Sequence, residues 1–333
     1  MSSPWSDWIA RHQVLAFYLL LFGVSWPAMI LMFYVFPENM AMQGLLGVTA
    51  TFSPVLTALY VSASSDRGAK QARSSTRWLV FLGGWLVTWV VLVLHTWQIR
   101  QAPLDPQMII PSGIVALLPG WLISCAFSRI SGVRQVFGTL LRPRGHWVWY
   151  AIALLTFPVI QLAGAGITVL IGGEVTWGIS EMTASGATVF VALTFFQGLL
   201  ATGGINEETG WRGFVLPRLQ TKFPVLAAVI IVWFFWALWH IPYDIGTGAS
   251  LESVLINRIF HNFMWAVLFA WVYNRTKGSV LAPVLFHPAM NTFSDSLPHS
   301  HAATVMFALL TLAVIYFEKM WKRLPAGNPA AQA

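Results

Sequence analysis

Apolar residues run along this chain in long blocks, and polar residues gather in the short segments between them. A helix needs ~20 mostly apolar residues to cross ~30 Å of hydrocarbon. Ten blocks approach that length: roughly 13–36, 43–63, 77–97, 108–128, 146–171, 187–206, 224–241, 253–274, 279–293 and 301–318. The pattern predicts an all-α fold, a polytopic transmembrane helical bundle of about ten spans.

Composition agrees. Hydrophobic residues make up 57% of the chain and charged ones only 9%, against about 25% charged in a soluble domain. The net charge of +7 would suggest nucleic acid in a soluble protein, but here the basic residues sit in loops and report membrane orientation. With the N-terminus inside, the inside segments hold every Lys and Arg except Arg100 and Arg258, and include Lys70 and Arg73. Both termini are therefore expected in the cytoplasm, with no nucleic-acid partner. The lone Cys125 has no partner for a disulfide or a thiolate metal cluster. The first block is too long for a signal peptide and is expected to remain as a span. The final PAGNPAAQA is expected to be disordered. Three regions result: N-terminal spans at 1–186, a chemistry-bearing core at 187–293, and a last span with its tail at 294–333.

Ionisable groups at membrane depth are costly unless paired or functional, so each marks a candidate site. Spans one to five hold almost none, whereas three later segments do. GGINEETGWRGF closes the sixth span. On a helix its Glu208 and Arg212 stand four apart and can pair, while Glu207 points about 100° away and stays free to act as a general base. WFFWALWHIP places His240 near the end of an aromatic helix that Pro242 is expected to close. FHPAMNTF places His287 and Asn291 on one helical face, a donor pair for a developing oxyanion. These are the parts needed to add water to an amide carbonyl without a covalent intermediate. Arg258, His261 and Asn262 form a further polar face on span eight, read as support or polar lining. Gly203 and Gly204 either allow close helix approach or loosen the helix beside Glu207.

In this order, Glu-Glu-x-x-x-Arg at Glu207, Glu208 and Arg212, aromatic-x-x-x-His at His240, and His-x-x-x-Asn at His287 and Asn291 resemble the CPBP intramembrane proteases. That family includes the type II CAAX prenyl endopeptidases and bacteriocin-processing or self-immunity proteins. The resemblance covers roughly 187–293. Its middle element departs from the family's Phe-x-x-x-His, because Trp236 stands four before His240, with Phe235 alongside. That exchange is expected to touch packing more than chemistry. The resemblance implies that Glu207 and His240 activate water, His287 and Asn291 stabilise the oxyanion, and Glu208 and Arg212 organise the first motif. It implies a membrane-associated peptide or protein as substrate, such as a prenylated CAAX-like C-terminus or a leader peptide.

Glu207, His240 and His287 could instead form a two-His-one-carboxylate zinc set. The missing His-Glu-x-x-His helix, and Asn291 as a poor zinc ligand, favour a reaction without a metal cofactor. Two readings outside protease chemistry are a proton-coupled transporter, which should show paired halves with interrupted helices, and a non-catalytic immunity or scaffold protein. The span boundaries raise one difficulty, since they separate Glu207 and His240 by ~10–15 Å along the membrane normal. Two arrangements remove it: span six continues as helix through Trp211 and Arg212, or span seven sits lower.

Overall fold

Hydrocarbon offers a backbone no hydrogen-bond partners, so apolar spans satisfy their own N–H and C=O groups as helices. The computed structural model describes residues 3–68 and 75–331, and every regular element within them is helical. In chain order these are α1 (Pro4–Arg11), α2 (Gln13–Ile30), α3 (Met40–Ser65), α4 (Ser75–Gln98), α5 (Pro106–Ser124), α6 (Ser131–Leu141), α7 (Val148–Leu170), α8 (Ala184–Ala201), α9 (Leu216–Gln220), α10 (Val225–Gly246), α11 (Leu251–Ile256), α12 (Asn262–Arg275), α13 (Leu281–Ser296) and α14 (His301–Phe317). Wider π-helical turns join α8 to α9 at Gly204–Glu208 and Trp211–Val215, and α11 to α12 at Asn257–His261. Lys70 and Arg73 lie outside the described residues.

Eight helical runs are long and apolar enough to cross a bilayer, and α14 is a shorter apolar helix. The chain is a multi-pass integral membrane protein. Of the ten expected spans, the remaining two are α13 and α14. With 16 residues, α13 is ~24 Å long, short of the ~30 Å core. It is buried along most of its length against α7, α8 and α12. Its partners are therefore other helices more than lipid, and that is how a helix carrying the buried His287 is tolerated at this depth, while Asn291 one turn on is exposed. Lipid meets helices such as α4, which exposes Trp78, Leu79, Leu82, Leu86, Val87 and Val90, an apolar surface that water would not tolerate.

Three sequence expectations meet a definite outcome. Helical structure continues beyond residue 206, and the apolar run spans Ala184–Gln220; of the two arrangements that would close the gap between Glu207 and His240, continuation of span six through Trp211 and Arg212 is found. Pro242 does not close α10, which runs on to Gly246, so His240 lies inside the helix. A proline within a span is tolerated because neighbouring helices and local adjustments satisfy the carbonyl it frees. The tail is docked as far as Ala331, contrary to the expected disorder. Ala330 is fully buried and its carbonyl accepts from Gln220 Nε2 at 2.8 Å.

Candidate active site

The site is built at a break in the longest helical run. Thr202 is extended and Gly203 has φ +102°, a conformation that only glycine adopts readily. The chain then re-enters helix through the π-turn bearing Glu207 and Glu208. Asn206 secures that turn. Its Oδ1 accepts from the Gly203 N–H at 2.8 Å, and its Nδ2 donates to the Thr51 carbonyl of α3 at 2.9 Å. A helix from the first part of the chain thus fixes the segment that carries the carboxylates.

Glu208 and Arg212 pair as their spacing predicts. Arg212 Nη1 donates to Glu208 Oε1 at 3.0 Å, and both side chains are sealed from solvent. The same oxygen lies 2.7 Å from His287 Nδ1, so one carboxylate bridges the arginine of the first motif and the imidazole of the third. Arg212 also lies against the rings of both Trp236 and Phe269, 4.6 Å from each centroid, a fit for a planar, delocalised cation.

Glu207 is not free as its helical position suggested. Its Oε2 accepts from the indole nitrogen of Trp236 at 2.9 Å. The Trp236 carbonyl in turn lies 2.7 Å from His240 Nδ1. A carbonyl can only accept, so Nδ1 carries a proton, and in the neutral ring the lone pair is then on Nε2. The exchange of Phe for Trp at this position therefore alters chemistry as well as packing, because phenylalanine has no N–H to offer the carboxylate.

Glu207, His240, His287 and Asn291 all line one cavity of about 460 Å³. They meet despite the vertical gap inferred from the span boundaries, because helix continues past Glu207 and α10 extends past His240. His287 Nε2 and Asn291 Nδ2 converge at Gly203, where a Cβ would lie 2.8 and 3.3 Å from them. The missing side chain at Gly203 thus keeps the space between the two nitrogens open. The far wall holds Arg258, His261, Asn262, Gln161 and His299. Arg258 is tied to Asp244 through Nε at 2.7 Å and Nη2 at 2.5 Å, and His299 Nδ1 lies 3.4 Å from Gln161 Nε2.

Among the described residues no three His, Cys, Asp or Glu side chains are arranged to hold a metal ion. Glu207, His240 and His287 share the cavity, with Nδ1 of His240 engaged by the Trp236 carbonyl and Nδ1 of His287 by Glu208. Sequence reasoning did not single out Asn206, although an amide beside two carboxylates at membrane depth is itself a signal. Trp236 is legible in the sequence only as a departure from the Phe-x-x-x-His pattern.

Residues 188–293 match the family described as type II CAAX prenyl endopeptidase, Rce1-like. A curated relative named CAAX prenyl protease 2, from Methanococcus maripaludis, is 25% identical over 186 residues. That similarity covers 51% of this chain and 66% of the relative, just under two thirds of its length.

Proposed function

We propose that this chain, whose residues 188–293 match the Rce1-like type II CAAX prenyl endopeptidase family, is an intramembrane endopeptidase that hydrolyses a peptide bond with water activated by Glu207 and His240. One observation carries the reading: four polar side chains remote along the sequence line a single cavity inside an apolar bundle. Its volume lies within the ~300–1,000 Å³ usual for ligand sites.

The hydrogen bonds suggest a division of labour. Glu207 offers a carboxylate oxygen and His240 offers Nε2, so one water can donate a hydrogen to each and keep a lone pair for attack. As the C–O bond forms, the water's proton passes to Glu207. The carbonyl oxygen becomes an oxyanion that accepts from Asn291 Nδ2 and His287 Nε2. For Nε2 to donate while Nδ1 faces Glu208, His287 carries a proton on both nitrogens. In that state the positive charges of His287 and Arg212 balance Glu207 and Glu208. Collapse of the tetrahedral intermediate breaks the C–N bond, and Glu207 returns its proton to the leaving amine. A general base contributes roughly 10²–10⁴-fold and each oxyanion donor roughly 10²–10³-fold.

No metal is required by this scheme. The substrate class we favour is a membrane-associated peptide or protein segment, with prenylated CAAX-like C-termini and leader peptides the first to test. Both termini face the cytoplasm in this proposal, on the distribution of basic loops. The test is cleavage of a reporter-peptide library in liposomes by the wild type and by Glu207→Ala, His240→Ala and Asn291→Ala, each with and without chelator. Loss in all three variants with no chelator effect supports the scheme, and zinc-restorable sensitivity replaces it with metal chemistry. Cleavage that survives Glu207→Ala ends the assignment.

A further inference from the structure

A second cavity, of about 520 Å³, lies between the α1–α2 junction and the segment from Arg218 to Phe223. Arg11, His12, Arg218 and Lys222 line it, with no Asp or Glu among its walls. None of the ion pairs among the described residues involves Arg11, Arg218 or Lys222. The main chain at Lys322 and Met320 bonds to Val225 and Leu226, which brings the basic C-terminal segment to the same end of the bundle.

Arg218 is the most constrained of these cations. It is only 8% exposed. Its Nε donates to Gln13 Oε1 at 2.6 Å, its Nη1 donates to the Phe214 carbonyl at 2.9 Å, and its guanidinium lies 3.7 Å from the Phe214 ring centroid. All three partners are neutral, and Nη2 has no hydrogen bond among the described residues. A buried charge held only by neutral groups favours a counter-ion.

The rest of the cavity indicates which counter-ion. Val14, Leu15, Leu219 and Phe223 form its apolar side, and Leu15 and Phe223 are 50% and 40% exposed on the outer surface. Cations at one end and lipid-facing apolar residues at the other match the junction of a headgroup with its acyl chains. The neighbouring α1 fits an interfacial position. It stacks Trp5 on Trp8 with ring centroids 5.2 Å apart, and is pinned to α3 and its following loop by Trp5 Nε1 to Tyr60 Oη at 3.1 Å and by Arg67 to Asp7 at 2.7 Å. Paired tryptophans mark the level where hydrocarbon meets headgroups.

We propose that this cavity binds the phosphate of an anionic phospholipid headgroup, with Arg218 as the buried anchor and Arg11 and Lys222 as the outer cations. The site is independent of any peptidase reading. Basic pockets between spans are recognised lipid-headgroup sites.

The test uses the full chain in detergent. Native mass spectrometry and thermal unfolding are measured with phosphatidylglycerol, with phosphatidylcholine, and with inorganic phosphate. Arg218→Gln also removes buried packing and hydrogen bonds that the fold uses, so the deciding variant is the exposed pair Arg11→Gln/Lys222→Gln. Its control, Lys277→Gln/Lys319→Gln, removes two exposed charges outside the cavity. The wild type should retain phosphatidylglycerol over phosphatidylcholine and be stabilised by it. At about fivefold per cation, the cavity variant should bind it roughly 30-fold more weakly, while the control stays within a few-fold of wild type. Equal losses in both double variants would reduce the effect to diffuse surface charge and overturn the site. Equal stabilisation by inorganic phosphate would make it a soluble-anion pocket and overturn the lipid assignment.

Discussion

The indole N–H of Trp236 reaches Glu207 Oε2 across 2.9 Å, while the carbonyl of the same residue receives His240 Nδ1 at 2.7 Å. One residue of α10 therefore orients the carboxylate on the π-turn and selects the tautomer of the imidazole one helical turn further on. Replacing it separates its two duties. Trp236→Phe keeps an aromatic face against Arg212 and the backbone carbonyl to His240, and removes only the N–H. A hydrogen bond to a buried charged group is worth about 1.5–3 kcal/mol, so kcat should fall roughly 10–100-fold with KM nearly unchanged. An unaltered kcat in steady-state cleavage assays would remove Trp236 from the mechanism.

Gly203→Ala should abolish cleavage and lower the thermal midpoint. The positive φ costs about 1–3 kcal/mol for a residue with a side chain, and the new methyl would meet His287 Nε2 and Asn291 Nδ2. Gly166→Ala in α7, where a Cβ meets nothing within 4 Å, serves as the neutral comparison in the same unfolding and activity measurements.

Glu208→Gln removes the carboxylate hydrogen-bonded to Arg212 in a sealed site and should destabilise the protein by about 3–5 kcal/mol. Glu208→Gln/Arg212→Met removes both charges and should be less destabilised than Glu208→Gln alone, since an unpaired buried charge costs more than an absent pair. Unfolding midpoints of the two variants in one detergent decide the order. The reverse ranking would mean that Arg212 is stabilised by the Trp236 and Phe269 rings alone.

Outside the spans, Asp66 ties α3 to α6. Partial burial would by itself raise its carboxyl, but hydrogen bonds from the Ser131 hydroxyl and from the backbone of Gly68, Ser131 and Gly132 hold it below the ordinary aspartate value. A lowered folded pKa contributes stability in full above the unfolded value of about 3.9 and loses it as pH falls through the folded one. Asp66→Asn should therefore unfold earlier than wild type from neutral pH down to about 4, and the two midpoints should converge in stronger acid. A gap independent of pH would show that the side chain's charge is not what matters.

Much of this architecture follows from the one-dimensional pattern. Apolar blocks of span length admit only helices in hydrocarbon, so the bundle and the membrane could be read from hydropathy. The Glu208–Arg212 pair and the shared face of His287 and Asn291 could be read from helical spacing, which is local geometry. The meeting of Glu207 with Trp236, and of Glu208 with His287, could not. Those contacts depend on how far each helix slides along the membrane normal and how it is rotated. That placement is set by the Gly203 break, by Asn206 reaching Thr51, and by α10 running past Pro242. Hydropathy likewise marked α13 only as an apolar block, and its burial against α7, α8 and α12 came from packing. Transfer free energy decides which segments leave water, whereas hydrogen bonds and ring packing between those segments decide which side chains meet, and only the second depends on three dimensions.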